Sequence, residues 1–411
     1  MENNILIRRI EKIKKSLSKL SSNATLLLSS APEIIKSRDI TFDFKQDTNF
    51  YYFTNSQIKN AVLLIKSNSD APILLSPSQS KEDILWHGES ESAKSLAKKI
   101  GAVYKDCELN EKDIISYLKE CNTLCYSSYK YSLSNKVAKF LLKENTSTLE
   151  RLKLPYKFIN QDFIISPLRQ IKEKGEIENI KTAVKITLNA IEELKNFLRP
   201  GLTELEVKHF FENEIKKQGA SIAFDTICAS GKNAATLHHT SSNKVLKKGE
   251  MLLIDCGAEY NMYAADISRT LPVSSTYSPI QEILINGVKK AKRDAINKAV
   301  VGAKFKDVQQ ASELAIIELL KELKILKGNK LNILKQKLHK EFYPHGVGHS
   351  LGLDTHDLGK LFGDTILKEN MVITIEPGVY FSKKINDIVP CGVRIEDDII
   401  IRKKESKVIE F

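Results

Sequence analysis

Long apolar runs are missing from this chain of 411 residues. No window stays uncharged and apolar for the length that a membrane-spanning helix needs, which argues against a helical membrane protein. No secretory core is expected at the N-terminus either, because Arg8, Arg9, Lys12, Lys14 and Lys15 interrupt its apolar positions. Cysteine is sparse: Cys107, Cys121, Cys125, Cys228, Cys256 and Cys391 are scattered over the chain. That spacing excludes a disulfide framework. Only Cys121 and Cys125 are close, and no second Cys or His pair lies near them to complete a zinc site. Reduced thiols of a cytoplasmic protein are expected. Internal repeats and low-complexity tracts are also absent.

Lysine is abundant, and the net charge is +12. The lysines are spread along the whole chain, without a basic stripe interleaved with aromatics. They read as a solvated surface and not as a nucleic-acid site. The apolar fraction of 42% is an ordinary globular value, and the length suffices for two domains with a core each.

Periodicity divides the chain. Ile7, Ile10, Ile13, Leu17 and Leu20 predict an amphipathic helix over residues 4–20. Apolar runs at 24–29, 60–66 and 71–76 predict strands, the last two joined by the turn-forming Ser67–Asp70, and helical patterns follow near 92–100, 111–119 and 133–143. A small α/β domain over 1–165 is expected, with a linker around 148–162. A long charged helix over 170–198 then opens a second domain, 170–411. Thr203 and Glu206 match a capping box. Strands are expected near 222–230, 251–257, 262–271, 371–376 and 392–402, with two long helices near 279–300 and 305–325.

Five residues of the second domain carry the chemistry: Asp255, Asp266, His349, Glu376 and Glu396. Asp255 ends the apolar run Met251–Ile254, and Glu376 ends Met371–Ile375 just before Pro377-Gly378. Asp266 stands in Ala265-Asp-Ile-Ser-Arg-Thr270, His349 closes Pro344-His-Gly-Val-Gly-His349, and Glu396 lies in Val393-Arg-Ile-Glu396. Singly, each has an ordinary explanation: a turn or capping aspartate, a solvated histidine. Together they are costly to bury without cations, and four carboxylates balance two divalent ions. A hairpin through Tyr260-Asn261 would bring Asp255 and Asp266 face to face, close enough to repel unless cations sit between them. Arg394 shares a strand face with Glu396 and is suited to hold a ligand carboxylate's orientation and proton state. Gly346 and Gly348 permit a tight turn that aims His349. Oxygen-rich ligation favours a hard divalent ion such as Mn²⁺.

These stretches resemble the pita-bread metallopeptidases, the family of methionine aminopeptidase, prolidase and aminopeptidase P. The likeness runs through Leu237-His-His239, Ile254-Asp-Cys-Gly257, Ala265–Thr270, Pro344–Asp357, Ile375-Glu-Pro-Gly378 and Val393–Asp398. Residues 44–54, Phe-Lys-Gln-Asp-Thr-Asn-Phe-Tyr-Tyr-Phe-Thr, are similar to the aminopeptidase P signature, with Lys45 in place of its arginine and Asn55 in place of the glycine that follows. The resemblance implies a pita-bread fold after a smaller creatinase/prolidase-like α/β domain that caps the cleft and supports a homo-oligomer, dimer or tetramer. It implies Asp255, Asp266, His349, Glu376 and Glu396 as ligands of two divalent ions, Mn²⁺ favoured. The implied reaction is removal of the residue before a penultimate proline by a bridging hydroxide. Glu376 is implied as general base, His238 and His345 as contacts to the substrate or tetrahedral intermediate, and His356 as proton relay to the leaving nitrogen. Arg394, Tyr380 and Asp255 would form a supporting chain. Trp86 would reach a neighbouring subunit's cleft or pack in its own domain. The rival activity is a prolidase acting on dipeptides; a metal-free peptide-binding scaffold is the rival from another class.

Overall fold

A computed structural model describes residues 2–89, 91–129, 132–359 and 361–410. The chain divides into two compact units, Met1–Leu168 and Arg169–Phe411.

The first unit opens with α1 (Glu2–Leu20). Its buried stripe is Leu6, Ile10, Ile13 and Leu17. Ile7 and Leu20, expected on that face, are 42% and 43% exposed, so Leu6 takes the place assigned to Ile7. Then come β1 (Ala24–Ser29), the ribbon β2 (Ile35–Ser37) and β3 (Ile40–Thr41), α2 (Thr48–Thr54), β4 (Val62–Lys66) and β5 (Ile73–Ser76). They are followed by α3 (Lys81–His87), α4 (Ala93–Ile100), β6 (Val103–Asp106), α5 (Glu111–Ser116), β7 (Thr123–Tyr126), α6 (Leu133–Leu141), α7 (Thr146–Arg151), β8 (Lys157–Asn160) and α8 (Asp162–Arg169). Six strands form one sheet in the order β6-β5-β4-β1-β7-β8. β1 is buried along its whole length because it lies between β4, antiparallel, and β7, parallel. Leu27, Leu64, Leu75 and Leu124 meet Ile114, Leu118, Val137 and Leu141 of the helices in one core.

The segment expected as a linker is part of this unit. Residues 148–162 hold the end of α7 and the whole of β8, whose Lys157–Asn160 pair in parallel with Thr123–Tyr126. An edge strand has one neighbour and a half-exposed face, so its apolar alternation is weak. Gln46 and Asp47 of the 44–54 signature act on the backbone: Gln46 Oε1 accepts from Ala31 N at 2.8 Å, and Asp47 caps α2 by accepting from Phe50 N at 2.8 Å. Asn55 closes that helix in the left-handed region, φ 48°, the conformation for which asparagine replaces glycine at least cost. In α3, Leu85 and Trp86 are 82% and 74% exposed.

The second unit contains α9 (Lys174–Phe197), α10 (Glu204–Lys217), β9 (Ser221–Ile222), β10 (Ile227–Ser230), a 3₁₀ turn (Gly231–Ala235), β11 (Met251–Cys256), β12 (Ala258–Tyr260), β13 (Tyr263–Ala264) and β14 (Ile267–Pro272). It continues with α11 (Pro279–Lys298), α12 (Phe305–Glu322), α13 (Lys330–Lys335), β15 (Val372–Ile375), β16 (Gly378–Phe381), β17 (Cys391–Arg394), β18 (Asp397–Ile400) and β19 (Lys407–Val408). α9 starts four residues later than the charge pattern suggests, at the Glu173–Glu176 capping box. The Thr203–Glu206 box begins α10 as expected. Its strands form small sheets: β10-β11-β14, β13-β12-β9, β15-β18-β19 and the pair β16-β17. α11 and α12 pack Leu284, Val288, Ile316 and Leu320 against Val379, Phe381, Val393 and Ile395. Val379, Phe381, Cys391 and Val393 of β16 and β17 therefore pack with the helices, while Tyr380 packs with Ala229, Ala234 and Leu253 on the other side.

Candidate metal centre

β11 is the middle strand of its sheet, which is why Met251–Ile254 are apolar and buried on both faces. The run ends at Asp255, a half-buried carboxylate. Beyond it the chain reverses through Asn261 and Met262, both left-handed at φ 49° and 69°, the geometry of a type I′ hairpin turn. The hairpin is not continuous. Asp255 pairs with Ser268, and the ladder stops at Cys256 and Ile267. Gly257 sits so close to the carbonyl of Ala265 that a side-chain carbon there has no room. Asp266 thus lies two residues beyond the partner of Asp255, not opposite it as the turn suggested. The break turns Asp266 inward, where its backbone N–H donates to Asp398 Oδ2 at 3.1 Å.

His349 and Glu376 are fixed to each other by their backbones. Thr374 N donates to His349 O at 2.9 Å, Glu376 N donates to Val347 O at 2.8 Å, and Leu351 N donates to Val372 O at 3.1 Å. His349 N in turn donates to Thr374 Oγ1 at 3.0 Å. Gly348 is needed here because the Thr374 carbonyl occupies the space of a side chain. A side-chain carbon at Gly346 would meet only Gln309 Oε1 at 3.9 Å, an ordinary contact, so no such constraint holds there. The ring of His349 is oriented by a 3.1 Å contact from Nδ1 to the carbonyl of Ser350. A carbonyl only accepts, so Nδ1 carries the hydrogen and Nε2 is left with a lone pair for a cation. That Nε2 lies 3.3 Å from Asp266 Oδ2 and 3.7 Å from Glu376 Oε1.

Asp266, His349 and Glu396 offer ligand atoms that all lie within 4.8 Å of one another. Glu376 joins them through His349. Asp255 lies at the edge of the group, held at Oδ2 by Arg394 Nη2 at 2.6 Å. Arg394 also donates from Nε to Ser268 Oγ at 2.8 Å and from Nη1 to Tyr380 Oη at 3.0 Å. Ser268 passes its own hydrogen to Glu396 Oε2 at 2.8 Å. Three residues that the sequence reading passed over therefore support the group: Ser268 and Asp398 hold Glu396 and Asp266, and Thr374 holds His349. Two of them carried a signal, since Ser268 and Asp398 stand two residues after Asp266 and Glu396.

The electrostatics are those of acids crowded without countercharge. Burial, then Asp255 and Asp398, push Asp266 well above the usual carboxylate range. Burial, then Asp266 and Glu376, do the same to Glu396. Burial raises Glu376 to about 7 against the pull of His349 and Arg394. Asp255 Oδ1 and Glu396 Oε1 are buried and have no hydrogen-bond partner. Buried acceptors without donors, beside an imidazole lone pair, are what a divalent cation satisfies. The residues fit a metal centre on this ground.

Of the three histidines expected to be catalytic, His345 and His356 lie against this group. The His356 ring packs edge-on to His349, with centroids 4.3 Å apart. Burial first, then the neighbouring imidazoles of His349 and His238, depress its basicity. His345 donates from Nδ1 to Gly346 O at 2.8 Å, and its Nε2 lies 2.8 Å from Tyr380 Oη. Burial, with Arg394 second, lowers it to about 4, so it is neutral near pH 7. Its two ring nitrogens are engaged by the protein as placed. Arg394 donates to the tyrosine oxygen and the tyrosine hydrogen goes to His345, which completes a chain Asp255–Arg394–Tyr380–His345.

Residues 178–403 match the family model described as metallopeptidase family M24, and residues 8–124 match the aminopeptidase P N-terminal domain. The chain is 31% identical over 417 residues to the Xaa-Pro aminopeptidase of Haemophilus influenzae, covering 97% of this chain and 93% of that one. It is 27% identical over 399 residues to the Xaa-Pro aminopeptidase of Escherichia coli, covering 94% and 90%. A solved structure of E. coli aminopeptidase P with the inhibitor Pro-Leu superposes with a TM-score of 0.91 at 26% identity, covering 100% of this chain and 95% of that one. Among the described residues, no helix is long and apolar enough to cross a membrane.

Proposed function

The chain belongs to metallopeptidase family M24, a pita-bread domain preceded by an aminopeptidase P N-terminal domain, and on that premise we propose that it is an Xaa-Pro aminopeptidase with a dinuclear centre. The observation that carries the reading is the cluster of Asp266, His349 and Glu396 within 4.8 Å, with Glu376 and Asp255 against it. Relatives of nearly full length bear the name Xaa-Pro aminopeptidase. The inhibitor Pro-Leu of the E. coli structure begins at the residue that cleavage before proline would expose.

Asp255, Asp266, His349, Glu376 and Glu396 would hold two divalent ions. Four ionised acids cancel the charge of such a pair, and hard oxygen donors favour Mn²⁺. The ions, when bound, supply Lewis acidity toward a water and toward the scissile carbonyl. The protein supplies the rest. Glu376, whose Oε1 lies 3.7 Å from His349 Nε2, takes the water's proton. His356, an exposed ring against His349, hands a proton to the leaving nitrogen of proline. His238 faces the developing oxyanion, and His345 would join it by releasing its bond to Tyr380 or to Gly346. Arg394 keeps Asp255 aimed.

Proline in second position fits an exopeptidase that makes no demand on the scissile nitrogen, which carries no hydrogen in that residue. The N-terminal unit is assigned the oligomer contact through exposed Leu85 and Trp86, and the six free cysteines suit a reducing cytoplasm. The test is cleavage of an Xaa-Pro dipeptide and an Xaa-Pro-Yaa tripeptide by the purified chain, with and without Mn²⁺, read by mass spectrometry. Release of the first residue from the tripeptide is expected. Strict preference for the dipeptide would make the chain a prolidase, and no cleavage with any divalent ion would leave only a binding scaffold.

A further inference from the structure

His239 stands next to His238, and the proposed reaction gives it no task. Its ring is turned into the protein. His239 Nε2 lies 2.9 Å from Glu204 Oε2, and the side chains are 16% and 0% exposed. Glu204 is the first residue of α10, and its carboxylate gathers donors from three separate segments. Ser230, at the end of β10, gives its backbone N at 2.7 Å and its Oγ at 2.9 Å. Asn233, in the 3₁₀ turn, gives Nδ2 at 3.0 Å and 3.2 Å to the two oxygens. Ser242 gives N at 3.3 Å and Oγ at 2.8 Å. The helix answers the same loop in reverse, with Glu204 N donating to Lys244 O at 3.1 Å and Leu205 N to Ser242 O at 3.0 Å.

Burial alone would raise the carboxyl of Glu204, but these donors outweigh it and hold the group below its usual range. An ionised carboxylate can only accept, so the hydrogen between the pair sits on His239 Nε2. The segment from Ser230 to Ser242 is thereby bound at both ends and at His239 to one buried charge. His238 has the one exposed imidazole on that segment.

We propose that Glu204 and His239 form a lock that aims His238 into the site, with His239 a positioning residue that never touches substrate. This rests on the reading that His238 does touch it. A bond from α10 to the neighbouring ring leaves His238 with little freedom, and a misplacement of about 1 Å in such a contact can cost on the order of a hundredfold in rate.

The experiment is a double-mutant cycle in the full-length, Mn²⁺-loaded protein on an Xaa-Pro-Yaa tripeptide, with thermal melts of every variant. His239→Phe fills the space without a donor and is expected to lower kcat/KM about tenfold to a hundredfold at an unchanged melting temperature. His239→Gln, whose amide can donate to Glu204, is expected to recover most of the rate; His239→Leu serves if the phenylalanine variant melts early. In the His238→Ala background, His239→Phe is expected to cost less than about twofold, because its effect passes through His238. The lock alone is overturned if His238→Ala is slow while His239→Phe and His239→Leu run at the wild-type rate. It is equally overturned if the loss is the same in both backgrounds, or if His239→Gln is no better than His239→Phe. If His238→Ala itself runs at the wild-type rate, the substrate role of His238 fails, and the lock falls with it.

Discussion

Arg394 reaches Asp255 Oδ2 at 2.6 Å and leaves the other oxygen of that carboxylate, Oδ1, with no hydrogen bond. One oxygen is neutralised by the protein and the other is held open. The guanidinium does this with a planar fork whose remaining nitrogens go to Ser268 and Tyr380. A lysine's three hydrogens radiate from one nitrogen and cannot span the separations that the three guanidinium nitrogens cover. Arg394→Lys is therefore expected to lower kcat/KM by about tenfold to a hundredfold and to weaken metal retention. Full activity together with full metal content by elemental analysis would count against this arrangement.

Glu376 stands 3.7 Å from His349 Nε2, with its carboxyl pushed up to about 7 by burial in the metal-free protein. Glu376→Ala is expected to reduce kcat on an Xaa-Pro-Yaa peptide by about a hundredfold to ten-thousandfold in excess Mn²⁺, the span of general-base contributions. Near-full activity in the alanine variant would remove Glu376 from its assigned step.

Chelation should expose the repulsion among the acids. In the metal-free protein Glu376 is raised from 4.5 to about 7, and Asp266 and Glu396 move the same way. A carboxyl raised by folding destabilises the fold in full above its folded pKa, and the penalty is relieved as pH falls through 7 toward 4.5. Bound cations cancel the penalty where the acids are ionised. The gap in melting temperature between metal-loaded and chelated protein should thus be wider near pH ~8 than near ~5.5. A gap that is constant or widens on acidification would contradict it.

Glu313 behaves in the opposite sense. Burial would raise it, but His339 and Lys340 overcome that and draw it from 4.5 to about 2. Its contribution is present above the unfolded value and is lost as pH falls from 4.5 toward 2, amounting to at most roughly 3 kcal/mol. Glu313 Oε1 also accepts from Gln309 Nε2 at 2.9 Å, and Gln309 Oε1 accepts from Val347 N at 2.6 Å, beside the metal-facing histidine. Glu313→Gln should melt earlier than the parent near neutral pH, with the difference closing below about pH 4. Parallel melting curves over that range would speak against the role.

The sequence was most readable where one local cause dominates. Met251–Ile254 is apolar because it lies in mid-sheet, and Thr203 and Glu206 cap a helix. It was least readable where the cause is distant. The break between Asp255 and Asp266 depends on Gly257 meeting the carbonyl of Ala265, a contact invisible to periodicity. β8 is a strand because β7 lies beside it, not because of its own four residues. The strand Gly378–Phe381, which no expected element covered, is short and wholly buried, so it shows no alternation. Glu204 read only as part of a helix start, and its donors come from residues up to 38 positions away.

The carbonyl of Thr374 fills the place where residue 348 would carry its first side-chain carbon, and the backbones on either side of that seam are stitched together. The imidazole of position 349 and the carboxylate of position 376 thus ride on a single plate. No hinge can run between them, so any breathing of the cleft must carry both together, and selection for a different spacing would have to rebuild the seam before it could retune either group.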